Sequence, residues 1–153
     1  MRHLNRREFV GAGLAIGTAG TLVGRSLLAS NANEEINLGF ISCGSRAGQL
    51  MKPFSRIAGV NIAGLCDPDK DRLGSAKQRF PAAKSWTDMR GLIEDKSIDA
   101  VVIATCNHWH SLITVWACQA GKDVYVEKPI SHNVWEGRQC VAAAAKYNRI
   151  VQH

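Results

Sequence analysis

Two features near the start of the chain have the residue types and spacing to hold a nucleotide. The run Ser42-Cys43-Gly44-Ser45-Arg46-Ala47 follows an apolar stretch and opens a helical pattern. Laid on G-x-G-x-x-G/A, it places Ser42, Gly44 and Ala47 at the three marked positions. A middle glycine lets the backbone approach a pyrophosphate. A helix starting near Ser45 then aims its N–H groups and positive dipole end at the phosphates. Ser42 departs from the pattern, because the first glycine normally makes the tight turn, and pairing Gly44 with Gly48 does not repair it. Asp67 follows about 20 residues on, at the end of the next apolar run, where the pattern wants an acid for the ribose hydroxyls. Simple N-capping of the next helix is the alternative role for Asp67, and the two are compatible. An acid there favours NAD over NADP, while Arg46 and Lys70 keep a 2′-phosphate open.

Other reactive residues point less clearly. His108-Trp109-His110 places two histidines at i, i+2 without a carboxylate or cysteine at recognisable metal-ligand spacing, so no metal is expected. His110 is expected to help start the following helix, with the loop facing substrate. Trp109 and Trp116 read as packing residues. The five cysteines, at 43, 66, 106, 118 and 140, include no C-x-x-C. Cys43, Cys66 and Cys106 would fall at neighbouring strand ends, where a disulfide would crowd a nucleotide crevice. Buried unpaired thiols are the simpler reading.

The elements that must position these residues alternate. Strands are predicted at 36–41, 60–65, 83–85, 99–105, 123–126 and from 150. Helices are predicted at 47–58, 68–79 (capped by Asp67), 87–95 (capped by Thr87), 111–120 (ended by Gly121) and 134–147 (between Asn133 and Asn148). The run Ala100-Val101-Val102-Ile103-Ala104 has the character of a strand buried on both faces. This rhythm implies an α/β fold with a doubly wound parallel sheet, a Rossmann domain. Ending at the start of a strand suggests a chain truncated before a further domain.

The hydrophobic fraction of 46% and charged fraction of 21% suit a soluble globular protein. The net charge is +6, but Arg2, Arg6, Arg7 and Arg25, against Glu8 alone, lie in the first 32 residues. The remainder carries 15 basic and 12 acidic residues with no basic run, which argues against nucleic acid. The first 32 residues have the form of an export signal. Arg6-Arg7 is a twin arginine, Phe9 to Gly24 is uncharged, and Ser30-Asn31-Ala32 supplies small residues for cleavage. A Tat-type route to the periplasm follows, with the Rossmann domain at 33–153 and no membrane span left after removal of the signal.

Three later segments carry a family resemblance: Asp99 to Thr105; Asn107-His108-Trp109-His110; and Ala120 to Val126, leading into Glu127-Lys128-Pro129. Together they resemble the Gfo/Idh/MocA oxidoreductases. Ser131-His132-Asn133 and Trp135-Glu136-Gly137-Arg138 are similar to an exported bacterial subgroup. The resemblance implies a Rossmann half that binds NAD(P) and a second α/β half, absent here, that holds a sugar, cyclitol or polyol. It makes Lys128 the catalytic residue and Thr105 and Asn107 cofactor contacts, with Cys106 replacing the usual proline. Glu127 and Pro129 join Ser42, Gly44, Ser45, Arg46 and Asp67 as cofactor-binding residues, and His108 and His110 face substrate. A surface charge paired with Glu127 is the alternative role for Lys128.

The chemistry is consistent with this assignment. Oxidising a secondary alcohol requires a group that takes the hydroxyl proton as hydride leaves, which a suitably placed lysine can do. The expected activity is a CH–OH oxidoreductase, with the chain alone inactive for want of half the active site. The same resemblance also admits an NAD-dependent glycosidase working by oxidation, elimination and reduction, or a non-catalytic nucleotide-binding fragment. A homo-oligomer formed through the second domain is compatible with it.

Overall fold

The computed structural model describes residues 35–153. The export signal read from residues 1–32 lies outside them. Six parallel strands form one sheet in the order β3-β2-β1-β4-β5-β6. They are β1 (Ile36–Ile41), β2 (Val60–Cys66), β3 (Lys84–Trp86), β4 (Ala100–Ile103), β5 (Asp123–Val126) and β6 (Val151–Gln152). Helices α1 (Ser45–Phe54), α2 (Lys70–Arg79), α3 (Met89–Glu94), α4 (His110–Gln119) and α5 (Val134–Tyr147) connect them, with a 3-10 turn at Asn107–Trp109 before α4. This is the doubly wound α/β architecture expected.

The central strands show why both sheet faces are covered. Val101 and Ile103 join the core cluster that contains Leu92, Ile113, Ala117 and Ala143 from α3, α4 and α5. Val102, between them, joins the opposite cluster with Ala47, Met51 and Ala76 from α1 and α2. Side chains alternate along a strand, so a continuous apolar run supplies both layers.

Several expected helix starts move. Helix α1 begins directly after Gly44 and ends one residue beyond Pro53, which lacks an amide hydrogen. Helix α2 is capped by Asp69, whose carboxylate accepts from the backbone of Asp71 and Arg72, and not by Asp67. Helix α3 is capped by Asp88, which accepts from Arg90 N, and not by Thr87. The later boundaries agree more closely. Gly121 takes a φ of +79° just past α4. Asn133 caps α5 through Glu136 N, and Asn148 closes it in the left-handed region. Among the described residues no helix is long and apolar enough to cross a membrane.

Candidate functional site

The carboxyl ends of β1, β4 and β5 open onto one crevice, at the point where strand order reverses around β1. The turn after β1 is made by Ser42 at a φ of +90°. That region favours glycine, so serine accepts strain where the pattern would place Gly. Its hydroxyl partly compensates by accepting from Gly44 N at 3.2 Å. A Cβ built on Gly44 would meet Ser42 Oγ at 3.5 Å and Arg72 Nη1 at 3.9 Å, both ordinary contacts. Nothing inside the chain therefore demands glycine there, and the open side is free for close approach by a ligand. Helix α1 starts at this point without a side-chain cap, which leaves its N-terminus open to an anion.

Asp67 is buried at 3% exposure, and its carboxylate ties two loops together. One oxygen accepts from Cys43 N at 2.7 Å and the other from Asp69 N at 2.9 Å. A carboxylate has about four acceptor sites, so each oxygen retains capacity for a ribose hydroxyl. Beside Asp67 lies a cavity of about 580 Å³, lined also by Ser42, Arg72, Met89, Arg90, Thr105, Cys106, His108, Trp109 and Trp116. The tryptophans thus border the crevice, where packing alone was expected, and Trp109 is exposed. No motif in the sequence singled out Arg72, Met89 or Arg90.

A second cavity, of about 440 Å³, is lined by Arg46, Ala104, Thr105, Asn107, His110, Glu127 and Lys128. Thr105 borders both cavities. Lys128 is exposed, and among the described residues no side chain bonds its ammonium. Glu127 is 8% exposed and turns to Arg46, with Oε1 accepting from Nε at 2.8 Å and lying 2.6 Å from Nη2. The pairing of Lys128 with Glu127 is thus not what forms. Arg46 holds the Glu127 carboxyl below its usual range through that hydrogen bond, against the opposing effect of burial. Arg46 lines this cavity and not the one beside Asp67, whose cationic side chains are Arg72 and Arg90. Lys70 lines neither.

His110 is buried, with Nδ1 2.8 Å from Pro129 O and Nε2 3.1 Å from Thr105 O. It begins α4 as expected, and both ring nitrogens face backbone carbonyls, to one of which a neutral ring donates its single N–H. It braces the loops after β4 and β5. His108 is exposed at the rim, its ring centroid 6.4 Å from that of His132. Ser45 and Asn107 are exposed at the crevice, and Pro129 follows a cis peptide. Among the described residues no group of three or more His, Cys, Asp or Glu side chains could hold a metal ion.

All five cysteines are unpaired. Burial pushes the thiols of Cys43 and Cys66 up to about 12. Cys106 differs from the buried expectation by being exposed in the turn after β4.

The geometry fits a dinucleotide: an open glycine, an uncapped helix start, a buried acid and two cavities that meet at Thr105. Comparisons with known proteins agree. Residues 36–153 match the sequence model of the Gfo/Idh/MocA oxidoreductase family, described as an NAD-binding Rossmann fold. A glycosyl hydrolase family 109 protein of Solibacter usitatus is 32% identical over 143 residues, covering 83% of this chain and 32% of that protein. Inositol 2-dehydrogenase 2 of Saccharopolyspora erythraea is 31% identical over 97 residues, covering 63% of this chain and 29% of that protein. The crystal structure of GenD2 from gentamicin A biosynthesis, in complex with NAD, superposes with a TM-score of 0.75 at 25% identity, over 78% of this chain and 34% of that one. The chain spans about a third of the length of these curated relatives.

Proposed function

The chain belongs to the Gfo/Idh/MocA oxidoreductase family and is its NAD-binding Rossmann domain, and we propose that it serves hydride exchange with a secondary alcohol of a sugar, cyclitol or polyol, with Lys128 as the proton-transfer group. The observation that carries this reading is the Lys128 ammonium, which shares a cavity with Thr105 and Asn107 while the neighbouring carboxylate is bound elsewhere. NAD, when bound, supplies the hydride acceptor. The backbone at Gly44 and Ser45 would hold the pyrophosphate, Asp67 the ribose, and Thr105, Asn107, Glu127 and Pro129 the remaining contacts. Lys128, as the neutral amine, takes the hydroxyl proton at Nζ while the C–H hydrogen leaves with its electron pair and the carbonyl forms. In the reverse direction Nζ returns the proton. The substrate's other contacts would come from the two thirds of the relatives' length that this chain does not span.

Two measurements test the reading. Calorimetric titration of the chain with NAD is expected to show one site. The full-length enzyme is expected to reduce NAD with a cyclitol or sugar, and no turnover across a panel of these would refute the reading. A second reading, glycoside cleavage by transient oxidation, elimination and reduction, is favoured by the likeness to the glycosyl hydrolase family 109 protein. Release of p-nitrophenol from a p-nitrophenyl glycoside without added cofactor would establish it in place of net oxidation.

Export by the Tat route to the periplasm is part of the proposal. It is supported by Arg6-Arg7, the uncharged stretch and Ser30-Asn31-Ala32. Arg6→Lys together with Arg7→Lys should retain the protein in the cytoplasm, as read by cell fractionation.

A further inference from the structure

Lys128 and Glu127 are consecutive, line the same cavity and carry opposite charge. They would be expected to pair. Instead the Glu127 carboxylate is drawn across the crevice to Arg46, a partner 81 positions away in the chain. All three guanidinium nitrogens make a contact there: Nε and Nη2 hold Glu127 Oε1, and Nη1 donates to Gln49 Oε1 at 3.2 Å. The other Glu127 oxygen still accepts from the Lys128 backbone N at 3.3 Å, so the carboxylate lies beside Lys128 while committed to another cation. The remaining titratable side chain lining this cavity is His110, and its ring nitrogens face Thr105 O and Pro129 O.

We propose that Arg46 is a positioning residue for Lys128: by holding Glu127, it keeps the adjacent carboxylate off the Lys128 ammonium and leaves that lysine free to exchange its proton. A carboxylate at ion-pair distance holds a lysine in its charged, non-nucleophilic form. Without Arg46, Glu127 loses its partner and Lys128 is the cation beside it. The inference rests on the proton-transfer reading of Lys128 for its meaning in catalysis, but the linkage itself is measurable on this chain.

The probe is acetic anhydride, which acylates only neutral lysine. Acylation of Lys128 is followed at pH 8 by peptide mass spectrometry, relative to exposed Lys96. Arg46→Gln is expected to slow Lys128 acylation about threefold or more. Glu127→Gln is expected not to slow it, and the double variant should match Glu127→Gln. Unchanged acylation in Arg46→Gln overturns the inference. So does a double variant as slow as Arg46→Gln, which would make the effect independent of Glu127. Circular dichroism checks folding; if Arg46→Gln unfolds, Arg46→Met takes its place with the same expectation, slower Lys128 acylation that Glu127→Gln relieves, and unchanged acylation overturns the inference, while Arg46→Lys, which retains a cation for Glu127, should acylate at the parent rate. In the full-length enzyme, Arg46→Gln should move the rise of kcat to higher pH, with Glu127→Gln restoring it. If acylation responds while turnover is indifferent to Lys128→Met, the linkage stands and the proton-transfer reading fails.

Discussion

Strand β5 is bounded by two lysines in opposite circumstances. At its amino end Lys122 is buried, and its ammonium donates to Asp95 O at 2.8 Å and Ile98 O at 2.7 Å. It closes the passage from α3 into β4, and burial lowers the proton affinity of its amine. Just past the carboxyl end Lys128 is exposed, with no side-chain partner among the described residues. The same contrast runs across the sheet. At the amino ends, Asp99 accepts from Asn37 N and Asp123 from Ile150 N, so side chains satisfy the backbone. At the carboxyl ends, Ser42 is strained, α1 is uncapped and two cavities stand open. One edge of the sheet spends its polar groups on the fold, and the other holds them available for a ligand.

The largest expected effect separates the two lysines directly. Lys128→Met should lower kcat of the full-length enzyme by about 10³-fold, with the melting temperature of the protein unchanged. Lys122→Met should do the reverse. It leaves the buried Ile98 O without its Lys122 donor and Asp95 O with Ile98 N alone, and should cost about 1–3 kcal/mol in urea unfolding. Activity lost with stability intact at Lys122 would break the comparison.

A smaller effect is expected from the pair that crosses the functional edge. Arg46 keeps the Glu127 carboxyl below its ordinary value of 4.5, so the unfolded chain takes up this proton first as pH falls. The stability contributed by the pair is present at neutral pH and is lost as pH drops through the unfolded value toward the folded one. The urea midpoint of the parent should therefore fall more steeply than that of Arg46→Gln between about pH 5 and about pH 3. The smallest effect concerns the strained turn. Ser42→Gly should stabilise the domain by roughly 0.5–1 kcal/mol, since strain relief outweighs the lost bond to Gly44 N, whereas Ser42→Val should destabilise it.

The fold was legible because its signal is periodic. Val101, Val102 and Ile103 announce a doubly covered strand, and Gly44 and Asp67 fall at fixed distances from apolar runs. The caps at Asp69 and Asp88 were harder to place. Asp67-Pro68-Asp69 and Thr87-Asp88 each offer two candidate caps, and for the first the choice depends on which side chain another loop has already taken, while no contact explains Asp88 over Thr87. Asp67 is claimed by Cys43 N, a contact from outside its own segment. The same reason hid the Arg46–Glu127 bridge and the Lys122 contacts. Each joins distant segments through side-chain tips, for which local sequence has no periodicity. His108 and His110 sit two residues apart yet differ wholly in burial, because the 3-10 turn ends between them and turns His110 inward.

The His110 brace bears on how this scaffold can vary. One buried ring lies between Thr105 O and Pro129 O, so the stretches from β4 to Thr105 and from β5 to Pro129 must bring both carbonyls to it. An inserted residue in either would pull a carbonyl out of reach of the imidazole. The hold extends past both points: Ser111 Oγ donates to Ile130 O at 3.0 Å, and the 3-10 turn from Asn107 to Trp109 is what turns His110 inward. The loops after β4 and β5 are thereby held together as one unit beside the cavity that Lys128 lines.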